Sequence, residues 1–371
     1  FEQRINQCAK VADWPLIMNA EIIPLPPVNW GDNIEKETVL LEITNPEGIT
    51  GLGSAYTGVD RLQEALRLYQ QNPAILHTAD AEMTIPMSAI DIALWDIRGK
   101  EEGQPVSELL GGRKRDRILA YATMDLPMTS AVTGDALERN LRALLDQGFR
   151  AIKLSVDDFG HRDDSKSESE WNLCEENLLK AARKIVGKKV QLMLDVYGSD
   201  PNWTPDFDWA VKIAKVLAQL DYLWFEEPLT PKAFDDYVRL TQLSNIAIAA
   251  GEDFILLKDF QKLSQLEAVN ILQPDCTRVG GLTQMQSIRS AASQNNISLI
   301  PHGWNTAIGL AADLQFQATL SDDKFCMVEV MPHSVITDLL KHNPFALDNE
   351  GKIILPTGPG LGVSLKDEFR P

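Results

Sequence analysis

Three acidic residues close three successive apolar, strand-like runs of this chain: Asp195 in QLMLDV (191–196), Glu226 in LWFEEP (223–228) and Glu252 in IAIAAGE (246–252). Loop residues bound each run, and an amphipathic stretch of helix length separates it from the next. That is the rhythm of parallel strands joined by helices. The three carboxylates then fall at the carboxyl ends of neighbouring strands, the rim where a β/α barrel does its chemistry. Three carboxylates converging in a low-dielectric cleft repel one another unless a cation joins them. Hard oxygen donors with no Cys or His nearby suit Mg²⁺. Glu227 competes with Glu226 for the middle place, because adjacent residues of a strand face opposite ways and either phase fits the run.

The later runs add further groups. QPDCTRVGG (273–281) carries Asp275 and Arg278, LIPHGWNT (299–306) carries His302, and MVEVM (327–331) carries Glu329. A histidine at one strand end beside an aspartate at the next makes a dyad in which the carboxylate fixes the imidazole tautomer and stabilises imidazolium. Arg278 cannot serve as a base, since guanidinium does not deprotonate in proteins. It can pair with Asp275 or hold a substrate oxyanion.

The elements that must position these groups follow a simple order. Eight strand candidates, 118–124, 151–156, 191–196, 223–228, 246–252, 268–275, 297–303 and 327–331, start 22 to 40 residues apart. Eight such units make a TIM-like barrel. Ahead of it lies an α+β module with strands at 20–27 and 37–44, a turn and third strand in 45–55, and a helix clearest at 87–103, stopped by Gly103. The expected division is a leader of unassigned role at 1–19, the α+β module at 20–116, and the barrel at 117–344. The tail 345–371, with two short strands in GKIILPTGPGLGVSL (351–365), is expected to return to the first module. The most polar insertion, 157–170, follows the second barrel strand and reads either as an active-site loop or as a solvated excursion.

Bulk properties narrow the function classes. With 53 acids against 35 bases and no basic stripe interleaved with aromatics, nucleic acid is excluded as a partner. A net charge of −18 also means that an anionic substrate needs a local positive centre. The cysteines at 8, 174, 276 and 326 are unpaired by spacing, which indicates reduced thiols in a cytoplasmic setting. No apolar run is long enough for a membrane span, and residues 1–19 carry too many charges for a signal peptide. A homo-oligomer is expected.

Taken in order, SAIDIALWDIRGK, LMLDV, WFEEPL, AAGED, QPDCTRVGG, PHG and GPGLGVSL resemble the enolase superfamily, in its mandelate racemase / muconate lactonising enzyme branch, over roughly residues 20–371. The resemblance implies an α+β capping domain over a (β/α)₇β barrel. It also implies Mg²⁺, removal of a proton α to a carboxylate, and metal stabilisation of the enediolate; a Lys or His base with Mg²⁺ is the general pattern of such sites. Carried over, Asp195, Glu226 and Glu252 are the ligands, Asp275 and His302 the acid/base pair, and Glu329 lies near the substrate carboxylate. Arg278, Tyr197, Ser155 and Trp304 complete the expected substrate-binding set.

The departures speak to the reaction. Many relatives end the second strand in Lys-x-Lys, whereas this chain has Lys153-Leu154-Ser155, so the second lysine is absent. Arg278 stands where others carry a catalytic Lys on strand six, and Tyr197 where Asn or His is frequent. One face of the substrate then has His302 and the other no evident base. This pattern resembles the acid-sugar dehydratases, rhamnonate dehydratase among them, in which one histidine takes the α-proton and returns it to the departing β-hydroxyl. The expected product is a 2-keto-3-deoxy sugar acid. The alternative is an isomerase of the same branch, a cycloisomerase or racemase/epimerase, with Lys153 or Tyr197 as the second catalytic group.

Overall fold

The computed structural model describes residues 14, 16–25, 28–29, 35–125, 135–156, 159, 166–201, 203–321, 324–331 and 338–369. Most of the leader, of the segment VNWGDN (28–33) and of the insertion at 157–170 lies outside the described residues.

The first module is a three-stranded antiparallel sheet, Asn19–Pro24, Val39–Thr44 and Thr50–Ala55, with Val39–Thr44 in the middle. The helix Ala81–Glu101 lies directly on its third strand. Gly51 and Gly53 permit this, since a Cβ at either would sit about 2 Å from the carbonyl oxygen of Ala93 or Ala89. The helix is buried on nearly every side from Pro86 to Ile97, because the sheet covers one face and the barrel another. It begins six residues before the periodicity suggests. Asp80 caps it, accepting from the N–H groups of Glu82 and Met83, and Pro86, its sixth residue, forgoes one helix hydrogen bond.

The barrel has eight parallel strands: Arg117–Asp125, Ala151–Ser155, Gln191–Asp195, Trp224–Glu226, Ala247–Ala250, Ile271–Leu272, Ser298–Leu299 and Met327–Val330. Seven helices alternate with them: Asp135–Asp146, Glu168–Val186, Phe207–Gln219, Phe234–Leu243, Leu257–Gln265, Gly281–Gln294 and Ala307–Gln317. The architecture is (β/α)₇β. Hydrogen-bonded pairing runs from strand seven back to strand one and on to strand eight. Between strands seven and eight no ladder exists among the described residues. There the Gln317 side-chain amide donates to Met327 O at 2.8 Å and lies 3.4 Å from Leu299 O, spanning the seam.

Strand alternation builds the interior in layers. Tyr121, Ala151, Met193, Trp224, Ala249, Ile271, Ile300 and Met327 fill an apolar floor. Two residues further along the same strands come Thr123, Lys153, Asp195, Glu226, Gln273, His302 and Glu329, all buried. On strand five Gly251, at φ 139°, breaks the alternation, and the acid is Glu252.

The capping helix docks on the loop after strand six. Ser88 Oγ accepts from Gly280 N–H (2.8 Å), Asp91 from Thr283 N–H (3.0 Å) and hydroxyl, and Trp95 Nε1 donates to the Thr283 hydroxyl (2.9 Å). The tail divides. Lys352–Ile354 pairs antiparallel with strand one of the barrel, whereas Leu361 N–H donates to Asp96 of the capping helix at 2.8 Å. No described helix is long and apolar enough to cross a membrane, and Cys174 and Cys276 are in no disulfide.

Candidate active site

Asp195, Glu226 and Glu252 each present a carboxylate oxygen within 4.8 Å of the others. Asp195 and Glu226 are 1% and 0% exposed, so water does little to screen their repulsion. Burial pushes Asp195 up to about 6 and Glu226 to about 7, and their neighbours' negative charge adds to this while Lys153 opposes it. Glu252 is raised for the same first reason. Three hard oxygen donors that resist ionising together fit a dication, which would replace the missing countercharge.

The phase of strand four settles the contest between adjacent glutamates. Trp224 belongs to the barrel floor, so Glu226 faces inward above it and joins the carboxylate cluster. Glu227 turns away at φ 43°, and no described residue hydrogen-bonds its buried Oε2. Burial, then the charges of Asp253 and Glu252, raise its carboxyl well above the usual range.

Lys153 is held in a way that the spacing of Lys153-Leu154-Ser155 did not reveal. Its ammonium lies 2.5 Å from Glu226, 3.1 Å from Asp195 and 3.2 Å from Glu329, and the residue is 2% exposed. Burial lowers its pKa, but the three carboxylates outweigh this and hold the proton on it well above the ordinary lysine value. Held by three acids, Lys153 supplies a countercharge inside the acidic cluster.

His302 and Asp275 form the expected pair. Nδ1 lies 2.9 Å from Asp275 Oδ2, while Asp275 Oδ1 accepts from the Thr277 N–H (2.7 Å) and hydroxyl (2.6 Å). Asp275 is thereby oriented and kept ionised: burial raises it, but His302, Arg278 and Thr277 bring it below its ordinary value. With Nδ1 committed, Nε2 is the nitrogen turned toward the acidic cluster, 3.4 Å from Glu252. Burial lowers the imidazole, but Glu252 and Asp275 outweigh it and carry it to about 9. A dication held by Glu252 would cancel the largest raising interaction and free Nε2 to accept a proton.

Glu329 is fully engaged. Its oxygens accept from the Thr123 hydroxyl, from Gly303 N–H at 2.9 Å and from Lys153. Burial raises it, but Lys153 and His302 outweigh that and hold it down at about 2. On the side of strands one to three, Ser155 Oγ donates to the Tyr197 hydroxyl at 2.5 Å, which donates to Asp125 at 3.3 Å. Tyr197 holds a left-handed φ of 48°, a conformation bulky residues seldom adopt. Burial, with Asp195 and Asp125, keeps its phenol neutral. Ser155 is buried, and Arg278 and Trp304 are partly exposed. Arg278 is 3.9 Å from Asp253, and burial of its guanidinium is outweighed by Asp275 and Glu252.

Three contributors escaped the sequence reading. Thr123 shares the layer of Glu329 on the neighbouring strand, and Trp224 lies one layer below Glu226 on the same strand; that alternation is the signal that could have found them. Tyr56 comes from the capping module, and its phenol, raised by burial and then by Asp275, feels Arg278, Glu329 and Glu252 as well.

Two family models cover the chain: the enolase C-terminal domain-like family over residues 136–369 and the mandelate racemase / muconate lactonizing enzyme N-terminal domain over 59–111. The chain is 33% identical over 299 residues to D-galactarolactone cycloisomerase of Agrobacterium fabrum, covering 76% of this chain and 73% of that protein. It is 30% identical over 291 residues to D-galactonate dehydratase of Verminephrobacter eiseniae, covering 76% and 71%. The crystal structure of 3,6-anhydro-D-galactonate cycloisomerase from Zobellia galactanivorans superposes with a TM-score of 0.77 at 27% identity, over 95% of this chain and 98% of that one. Matched in both domains, with an acidic cluster and a His–Asp pair at the barrel rim, the chain belongs to the enolase superfamily and is an enzyme of its mandelate racemase / muconate lactonizing enzyme branch.

Proposed function

We propose that this enzyme is a Mg²⁺-dependent acid-sugar dehydratase in which His302 performs both proton transfers. The observation that carries this reading is the asymmetry of the site. His302 is an imidazole oriented through Nδ1 by Asp275, with Nε2 turned toward the acidic cluster, while Lys153 is locked by three carboxylates and Tyr197 is kept neutral between Ser155 and Asp125. Racemisation and epimerisation need working acid/base groups on both faces; β-elimination needs one.

Asp195, Glu226 and Glu252 would hold Mg²⁺, which when bound supplies positive charge to the substrate carboxylate and to the enediolate. His302 Nε2 takes the α-proton, and the C–H electron pair enters the enediolate. The β-carbon–oxygen bond then breaks toward oxygen, and the imidazolium returns its proton to that oxygen, which leaves as water. Asp275 keeps the imidazole in the right tautomer and stabilises the imidazolium between the two steps. The enol left behind tautomerises to a 2-keto-3-deoxy acid.

A second reading, a cycloisomerase, is favoured by the 33% identity to D-galactarolactone cycloisomerase. It shares the first step and differs only in that the departing β-oxygen belongs to a ring. The test is a library of aldonates, aldarates and their lactones, with products weighed by mass spectrometry. A keto acid lighter by one water is expected. A product of unchanged mass moves the cycloisomerase reading to first place. His302→Asn should abolish both product formation and exchange of the α-proton with solvent deuterium, at a cost of at least 10²–10⁴-fold. Asp275→Asn should impair both less. Rapid α-proton exchange in His302→Asn would show that another group removes the proton.

A further inference from the structure

Glu226 has a partner that its role as an acid at a strand end does not require. Trp224, two residues earlier on the same inward face, directs its indole N–H up from the barrel floor to Glu226 Oε2 at 2.7 Å. The ring is fully buried and meets Tyr121 edge-on, with centroids 5.4 Å apart and planes at 82°, so its direction is fixed by packing. The other oxygen, Oε1, receives Lys153 at 2.5 Å. Two donors of different kind therefore set the rotation of this carboxylate. Lys153 is shared among three acids, whereas Trp224 serves Glu226 alone among the hydrogen bonds of the described residues.

We infer that Trp224 is a positioning residue that withholds one oxygen of Glu226 from the ion and so favours Mg²⁺ over Ca²⁺. The indole N–H is fixed on Oε2 by packing, whereas Lys153 on Oε1 is shared with Asp195 and Glu329 and can turn to them, so Oε1 is the oxygen that Glu226 can offer an ion. Mg²⁺ demands near-ideal octahedral geometry with one oxygen per carboxylate, while Ca²⁺ accepts bidentate carboxylates and higher coordination numbers. Removing the N–H loosens the carboxylate and opens the bidentate mode. This deepens the metal reading of the site and rests on it.

The experiment measures Kd for Mg²⁺ and for Ca²⁺ by titration calorimetry on the full chain, first unaltered and then as Trp224→Phe. A second variant carries 3-benzothienylalanine at position 224, which replaces only the N–H by sulfur and keeps the ring shape should the phenylalanine variant fail to fold. Loss of an outer partner of a metal ligand typically costs 10–100-fold in affinity. We expect Mg²⁺ affinity to fall about 10–100-fold and Ca²⁺ affinity to fall less, so the Mg²⁺/Ca²⁺ ratio drops at an unchanged melting temperature in the benzothienyl variant. An unchanged ratio overturns the role of Trp224. Absence of Mg²⁺ binding in the unaltered protein instead sinks the metal reading itself, so the two failures are distinct.

Discussion

Replacing Lys153 by Met separates a countercharge from a base. The side chains are of similar length, so packing is largely kept while one positive charge disappears from among Asp195, Glu226 and Glu329, whose side chains are at most 2% exposed. With Glu252 there are four carboxylates around one ammonium, a formal charge of −3 that becomes −4 in the variant. Breaking a buried ion pair by removing one partner typically costs about 3–5 kcal/mol, against a total stability of about 5–15 kcal/mol for folded domains. Urea unfolding in EDTA at pH 7.5, followed by circular dichroism, should show this loss. Mg²⁺ at a hundred times its Kd should return about 2.7 kcal/mol, and its Kd for the variant should be lower than for the parent because the site is more negative. A Lys153→Met protein as stable as the parent in EDTA, with α-proton exchange abolished, would refute the argument and restore Lys153 as an acid/base.

The remaining expectations are more local. Glu252→Gln removes the negative charge of a proposed ligand, so calorimetry should show Mg²⁺ binding weakened by more than the roughly 10–100-fold typical of an outer partner; an unchanged affinity would refute the ligand assignment. Ser155→Ala removes one hydrogen bond to Tyr197, which is worth about 1 kcal/mol, so much of the activity should survive; a loss as deep as that of His302→Asn would mean the second face is catalytic. Stability should also depend on pH with a definite sign. Asp195 and Glu226 are raised from 3.8 and 4.5 to about 6 and about 7, and His302 from 6.5 to about 9. Groups raised on folding stabilise below their ordinary value and lose that contribution as pH climbs through the raised one. The metal-free protein should therefore weaken between about pH 4 and 9, and saturating Mg²⁺ should flatten the decline in denaturant titrations; a metal-free protein whose stability rises over this window would contradict the shifts.

The residues legible from sequence are those whose position follows from a short local pattern. Asp195, Glu226, Glu252, Asp275 and His302 all end apolar runs, and a strand's end is where an inward polar group meets solvent and substrate. Strand lengths were less legible. Run 268–275 forms a ladder only at Ile271–Leu272, and run 297–303 only at Ser298–Leu299; Pro274 and Pro301 follow closely and lack the N–H that a ladder needs. Pro86 likewise concealed the true start of the capping helix. The part played by Lys153 was out of reach because it depends on acids from strands three, four and eight, which no spacing along the chain brings together. The split of the tail between barrel and capping helix is of the same kind: pairing partners separated by more than two hundred residues leave no periodic trace.

The seam between strands seven and eight bears on how this protein can change. At that one place the wall is fastened by side chains, Gln317 at the level of Leu299 and Met327, and Glu329 at the level of Gly303. Glu329 is thus both a neighbour of the reacting centre and a clasp of the scaffold. Selection acting on it for a new substrate would simultaneously slacken the wall that carries His302.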